Sequence, residues 1–528
     1  MRKMFIRFAV VINVAFLLLS IFVWSGFWVF FGIFFIITVL GIFDIYQSKH
    51  SLMRNFPVVG RLRWIMEDLR PKMYQYFIES DTSGRPINRI DRSTIYQRAK
   101  KETDSMPFGT QLDVYSEGYE WMTHSIAPLN FHKLNTEPRT LIGNKDCKQP
   151  YNCSVLNVSA MSYGSLSKNA VLSLNGGAKI GGFAHNTGEG GLSPYHLELG
   201  GDLIWQIGTG YFSARTKDGN FCEETFAKNA VKPSVKMIEL KISQGAKPGH
   251  GGILPAAKNN EEVAAIRNVE PHTTIDSPPY HTAFNTPIGL VQFIARLREL
   301  SGGKPVGFKL CIGHKSEFIG ICKAMIELDI YPDFITVDGG EGGTGAAPQE
   351  FSNYVGAPLL DGLAFVNNML VGFNIRQHIK IIASGKIISG FHIVRALALG
   401  ADACNSARAM MMALGCIQAL ECNKNTCPVG VATQDPALVK GLVVADKKQR
   451  VANYHHETVK AFSELLGAAG IDDARKLTRS HIYRRVFMNE VRTLEDIFPS
   501  LTPGDFINGK IPEKYKLDIE KAYTDRWS

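Results

Sequence analysis

From Phe8 to Phe43 the chain runs for 36 residues without an Asp, Glu, Lys, Arg or His. A soluble helix needs a polar stripe for its wet face, and this run has none to offer. As one helix it would rise roughly 54 Å, against a hydrocarbon core of about 30 Å. Its one break is Ser25-Gly26, and each side of that break is just long enough to cross a bilayer. We therefore expect a transmembrane helical hairpin, over about residues 5–23 and 27–45. A cleaved signal peptide should have a much shorter apolar region that ends in small residues. Arg2, Lys3 and Arg7 precede the run, and Lys49, Arg54, Arg61 and Arg63 follow it. Cations at both ends place both ends in the cytoplasm and the short turn outside, so the body would sit on the cytoplasmic side of the cell inner membrane. The basic stretch behind the second span would also lie against anionic lipid headgroups.

The net charge of +9 raises nucleic acid as a partner, and its distribution removes it. Residues 1–101 carry 15 Lys and Arg against 6 Asp and Glu, which accounts for the whole excess. The rest of the chain carries 43 of each and has no surplus from which to build a basic binding face.

Beyond a polar, partly helical segment at about 49–130, short apolar runs recur, each ending in Gly, Ser or Asn. They lie at 155–165, 181–191, 203–210, 238–252, 305–313, 333–345, 379–387 and 402–411. Amphipathic helical stretches such as TPIGLVQFIARLRELSGG (286–303) separate most of them. Eight strand-then-helix units with glycines at the strand C-terminal ends predict a (β/α)8 TIM barrel over 131–450. A doubly wound sheet is the competitor, and the lack of GxGxxG after the first strand weighs against it. Residues 451–528 read as a polar helical extension packed outside the barrel. Residues 1–48 are the membrane anchor in this division.

Barrels of this kind often hold a phosphate at the loops after strands seven and eight. Here those loops are Ser384-Gly385-Lys386 and Asn405-Ser406-Ala407-Arg408. Lys309, inside the apolar run GFKLC, should be paired or catalytic, because burying an unpaired ammonium is costly. KISQGAKPGHGG spaces Lys241, Gln244 and Lys247 by three, which a curled loop could turn toward the barrel mouth. Two cations and an amide there suit a dicarboxylate, with Arg267 as a bidentate clamp. Glu189, in a turn of glycines, is a candidate acid or carboxylate anchor.

Nine cysteines in a cytoplasmic body argue against structural disulfides. Six are scattered, mostly in apolar runs, and read as core thiols. Cys416, Cys422 and Cys427 stand together in GCIQALECNKNTCPVG. Thiolates at that spacing suit an iron–sulfur cluster, with three ligands pointing to three irons, or a zinc site completed by another residue, and the bland alternative is a chance grouping with no metal.

AMSYGSLS, NTGEGG, KISQGAKPGHGG, SPPYH, VDGGEGGTGAAP and the run ending in CPVGVATQ, in this order over about 155–435, resemble the FMN-binding synthase domain of glutamate synthase. The likeness is greatest to its short membrane-anchored relatives. The resemblance implies FMN at the barrel mouth and a 3Fe-4S cluster on Cys416, Cys422 and Cys427. It places Ala160, Met161 and Ser162 against the flavin and Gln206 and Lys309 at its polar edge. Gly339, Gly340, Gly342 and Gly343 would stand around the cofactor, with Ser384, Gly385, Lys386, Ala407 and Arg408 at its phosphate. It lines a 2-oxoglutarate and iminoglutarate pocket with Glu189, Lys241, Gln244, Lys247 and Arg267. The family's GEGGQLPG is GHGGILPA here, so a substrate-site glutamine is Ile253 and a glutamate is His250. The glycine-rich phosphate loop after strand eight is replaced by residues 405–408.

The family's glutaminase domain has no counterpart in this sequence, nor is an NAD(P)H domain evident. The implied oxidoreductase would draw on free ammonia, an amine or an ammonia-supplying partner subunit. Its electrons would come from a ferredoxin, a reductase or a membrane donor. Two alternatives stay open: an N-alkylglutamate synthase or other flavin-dependent 2-oxo or 2-hydroxy acid oxidoreductase, and a non-catalytic electron-transfer subunit.

Overall fold

The computed structural model describes residues 1–102 and 105–527. The chain divides into two compact units, Met1–Arg89 and Ile90–Ser528.

In the first unit the apolar run forms two helices, Arg2–Phe22 and Phe27–Tyr46. The chain reverses at Val23–Gly26, where the Ser25-Gly26 break was expected. Both helices are long and apolar enough to cross a membrane, and only 11% of either span is buried, unlike the core helix of a soluble protein. Two such helices near an N-terminus are compatible with membrane spans and with a signal sequence. Asn13 Nδ2 donates to Thr38 Oγ1 at 2.8 Å between the helices. Phe16 stacks on Phe30 and Phe34, with ring centroids 5.6 and 5.2 Å away. Behind the second helix come short helices at Ser51–Asn55 and Leu62–Met73.

The second unit is built on a closed barrel of eight parallel strands. In chain order they are Leu156–Val158, His185–Asn186, Leu203–Ile207, Val235–Lys241, Val306–Leu310, Phe334–Asp338, Lys380–Ser384 and Ala403–Ser406. The last strand pairs with the first, Cys404 opposite Leu156, so the doubly wound alternative is excluded. Seven strands fall wholly inside the predicted runs; the fourth starts three residues early. Both faces of these strands are buried, which is why they read as continuous apolar runs and not as alternation.

Some of the intervening helices start on side-chain caps that the sequence supplies. Ser167 Oγ accepts from Ala170 N, and Thr286 accepts from Gly289 N ahead of Pro287 at the first helical position. At the N-terminal end of the barrel the hairpin Arg139–Ile142/Tyr151–Ser154 adds Ile142 and Cys153 to a core that includes Ile204, Met237, Phe334 and Ile382.

The helix Val444–Ala468 packs on Lys168–Gly181. That contact needs Gly177 bare, because a Cβ there would lie 2.6 Å from Val451. The C-terminal extension is not wholly helical. Ile482–Phe487 and Glu490–Thr493 form an antiparallel hairpin, and Glu120–Met122 adds a third strand to it. IYRRVF is half exposed and polar at its centre, so it carries no continuous apolar run to betray a strand.

Candidate active site

Strands of a parallel barrel present alternate side chains to the interior. On the fourth strand Met237, Glu239 and Lys241 share one parity, and this buries two of the strand's charges while Lys236, of the other parity, stays half-exposed. Glu239 is fully buried and accepts three hydrogen bonds, from Asn186 Nδ2 (2.8 Å), Gln206 Nε2 (2.6 Å) and Thr336 Oγ1 (2.6 Å). Sequence reasoning missed this carboxylate, although a lone Glu in VKMIELK carries the same signal that singled out Lys309. Gln206, expected at the flavin's polar edge, donates its amide to Glu239.

Lys309 is 5% exposed and pairs with Asp338 at 3.1 Å, as a buried lysine must. Burial works against its charge, but Asp338 and Glu239 outweigh that and hold its pKa above the usual lysine value. Asp338 also accepts from Gly245 N at 2.9 Å, which locks the loop after strand four onto the end of strand six.

Glu189 stands in the loop after strand two, beside Lys241 at the end of strand four. The pair is 2.7 Å apart. Burial alone would raise the Glu189 pKa; Lys241, Lys247 and Arg267 together pull it below the usual carboxylate range. An acid held ionised in this way suits a fixed counter-ion better than a proton donor. A Cβ at Gly252 would meet its Oε1 at 2.7 Å, so the last glycine of GHGG exists to let this carboxylate approach.

Lys247 is 3% exposed and donates to Ala346 O at 2.8 Å, tying the loop after strand four to the loop after strand six. Burial pulls its ammonium down to about 8, with Glu189 opposing and Lys241 assisting. Arg267 ends the helix Glu261–Arg267 and is 4% exposed. It lies over the Phe212 ring at 5.0 Å and donates from Nη2 to Tyr163 O at 3.0 Å. Its Nε is buried with no partner, and burial lowers its pKa to about 10. A Cβ at Gly190 would come within 2.8 Å of its Nη2. The structure thus gathers Glu189, Lys241, Lys247 and Arg267, while Gln244 stays half-buried outside their hydrogen bonds.

His281, in SPPYH, is a second residue that sequence reasoning left without a role. It is 4% exposed, with Nε2 on Lys241 O (2.8 Å) and Nδ1 on Tyr211 OH (3.1 Å). It thereby positions the strand end that carries Lys241. His250 stacks edge-on against Phe351 at 5.4 Å. Ile253 is half-buried in a short ladder with Asp276.

The residues expected around the cofactor and its phosphate bond to one another and to their neighbours. The N–H groups of Gly339, Gly340 and Gly342 already donate to Ser384 O, Ala357 O and Gly339 O. These glycines serve close packing: a Cβ at Gly343 would sit 2.9 Å from Arg408 Cδ, and one at Gly245 would strike Gly339 O. Lys386 exerts its charge on Asp91 of the helix Arg89–Lys100. Arg408 donates to Glu341 O at 2.6 Å, and Ser384 Oγ meets Ser159 Oγ at 3.3 Å. Ala160, Met161 and Ser162 form a half-buried turn after strand one, closed by Ser162 Oγ on Ser165 Oγ at 3.0 Å. Asn405 Oδ1 is buried with no partner.

The cysteine loop follows strand eight. Cys416 and Cys422 are half-buried and Cys427 is buried. Burial pushes the Cys416 thiol up to about 11, and Cys422 and Cys427 add to the rise. The three thus stand within electrostatic reach of one another. Among the described residues no three His, Cys, Asp or Glu side chains are spaced to hold a metal ion. Gln418, Leu420 and Asn425 all have positive φ, so the loop is wound tightly without glycine at those turns. Lys258, 2% exposed and unforeseen, donates to Ser165 O (3.0 Å) and Ala432 O (2.8 Å), and its charge reaches Cys422 and Cys427. Three cysteine sulfurs beside a buried cation have the donor chemistry that an anionic iron–sulfur cluster takes, but they do not stand at metal-ligand spacing here.

Known proteins share much of this sequence. The conserved region of glutamate synthase matches residues 90–472. A glutamate synthase large subunit-like protein of Bacillus subtilis is 39% identical, over 83% of this chain and 90% of that one. The archaeal glutamate synthase (NADPH) of Methanocaldococcus jannaschii is 37% identical, over 61% of this chain and 60% of its own length. The glutamate synthase (NADPH) large chain of Azospirillum brasilense is 32% identical, over 59% of this chain and 20% of its own. Among solved structures, a mandelate oxidase variant superimposes with a TM-score of 0.40 at 14% identity, over 82% of this chain and 99% of its own. The barrel assignment rests on the strand pairing and takes nothing from a likeness that slight.

Proposed function

Because this chain belongs to the glutamate synthase family, we propose that it is a membrane-anchored oxidoreductase. It uses FMN and a 3Fe-4S cluster to reduce a 2-iminoglutarate-like imine, formed from 2-oxoglutarate and ammonia or an amine, to glutamate. The observation that carries this reading is a charge count. Lys241, Lys247 and Arg267 stand about the buried carboxylate of Glu189, with the exposed Asp276 also acting on Lys247, which leaves a surplus of positive charge for an anionic ligand. The unpartnered Nε of Arg267 is a donor in want of an acceptor, as a clamp for one carboxylate requires.

FMN fits the barrel mouth: Lys309 offers a fixed ammonium, Arg408 and Ser384 a polar end, and Asn405 an orphaned acceptor. The cluster would be held by Cys416, Cys422 and Cys427. FMN bound at the barrel mouth would supply a hydride for the imine carbon, and a cluster on these cysteines would supply single electrons. The residues of this chain do the rest. Lys241 and Arg267 orient the carboxylates, and Glu189 holds the cations in place. Lys247, at about 8, is the proton source best matched to neutral pH for the imine nitrogen. The two apolar helices would hold the enzyme at the cell inner membrane with its barrel on the cytoplasmic side. A ferredoxin, a reductase or a membrane donor would supply the electrons.

The test is glutamate formation by dithionite-reduced protein given 2-oxoglutarate and ammonia. Removing one partner of a buried charge costs several kcal/mol, so Arg267→Ala should weaken 2-oxoglutarate binding by about a hundredfold or more. Unchanged affinity in that variant would remove the charge set from the reading. The half-buried Ile253, beside the Gly252–Glu189 contact, favours a second amine donor. Product formation from methylamine and not from ammonia would select the N-alkylglutamate reading.

A further inference from the structure

The helix Leu62–Met73 buries none of its side chains. Leu62, Ile65, Met66, Leu69 and Met73 follow one another at i, i+3, i+4, i+7 and i+11, which aligns them along one face. Each is between 41% and 54% exposed. Arg63 and Arg70 flank this stripe on one side and Lys72 on the other; Asp68 lies further round beyond Lys72, and Glu67, paired with Arg63 at 3.1 Å, lies further round beyond Arg63. The turn that follows, Tyr74–Ile78, continues the apolar surface with Tyr74, Tyr76, Phe77 and Ile78, all exposed.

A stripe of this kind usually covers a core, and here it covers none. Its position says what lies against it. Asp44, two residues from the end of the second apolar helix, is fully buried. Its carboxylate accepts from Arg61 Nη2 at 2.6 Å, from Arg61 Nε at 3.0 Å and from Val58 N at 2.9 Å. Residues 58–61 are therefore fastened beside the point where the second helix would leave the bilayer, and the amphipathic helix starts there.

We propose that residues 62–78 lie in the plane of the membrane surface, on an anionic bilayer. The stripe from Leu62 to Met73 sits at the boundary of the acyl chains. Arg63, Arg70 and Lys72 extend sideways to the phosphates, and Glu67 and Asp68 face water. Tyr74 and Tyr76 suit the headgroup level that tyrosines favour. The helix would thus set the depth at which the chain leaves the bilayer. The proposal rests on the membrane-anchor reading and adds to it a surface that two spans alone do not require.

The experiment uses full-length protein in vesicles of phosphatidylethanolamine and phosphatidylglycerol whose acyl chains carry a click handle. A photo-crosslinking amino acid is placed at Ile65, at Leu69, at Asp68 or, within the second span, at Val29. Lipid adducts are expected at Ile65, Leu69 and Val29, and at least tenfold fewer at Asp68. Adducts at Val29 with none at Ile65 and Leu69 would overturn the surface helix and leave the anchor standing. Crosslinks from Ile65 and Leu69 to this chain in place of lipid would do the same. No lipid adduct at any position would overturn both.

Discussion

Lys247 combines burial with a proton it can give up. Its ammonium, brought down to about 8 by burial, has to be charged to meet a carboxylate. The charge is complete below that value and is lost as pH rises through it. Affinity for 2-oxoglutarate should therefore fall between pH 7 and 9 in titrations monitored by flavin absorbance. Lys247→Arg should keep its affinity over that range, because a guanidinium stays protonated. Equal losses in the two proteins would assign the alkaline limb to another group. Glu189 behaves in the opposite sense: its lowered pKa means that its charge persists to more acid pH than usual.

The cysteine loop behaves as one element, though its parts come from distant stretches. Tyr96 OH holds Cys416 O at 2.7 Å, Asn425 Nδ2 holds Ala257 O at 3.0 Å, and Lys258 bridges to Ser165 in the loop after strand one. A ligand set shared in this way should fail as a unit. Cys416→Ser, Cys422→Ser and Cys427→Ser should each lose the iron, with the same residual absorbance, when iron is assayed after anaerobic purification. Zinc in place of iron in the unaltered protein would support the tetrahedral alternative. Lys258 was not singled out in the sequence, because a lysine in AAKNNEE looks like a solvated surface residue. Only the fold brings it under the loop.

At the scale of the whole barrel unit, several imidazoles are buried in the neutral form. His281 is lowered to about 4, and His185 and His455 to about 3, in each case first by burial. His185 has no partner on either ring nitrogen. Their folded values lie below the usual 6.5, so the unfolded chain binds more protons below that pH. Stability is then fully present above about 6.5 and falls as the pH drops toward 4 and 3. Detergent-solubilised protein should melt at a lower temperature at pH 5 than at pH 7. A melting temperature that held steady across this range would show that these histidines are already solvated.

The uncharged run, the eight apolar segments and the CPVG cysteines were legible because each is a local pattern with a local cause. A helix without charges has no water-facing side, and a strand buried on both faces has no polar alternation. The strands were found within a few residues for that reason, and so were Lys241 at its strand end and Lys309 inside its strand. What the linear order does not carry is which distant groups meet. Glu239 with Asn186, Gln206 and Thr336, and His281 with Lys241 and Tyr211, are contacts between strands and loops that barrel closure brings together. The engaged amides of Gly339 and Gly340 and the hairpin at 482–493 are of the same kind. Residue types and their periodicity determined the elements and the chemical inventory of the site. Tertiary structure decided partners and protonation, because both depend on burial and on charges distant in sequence.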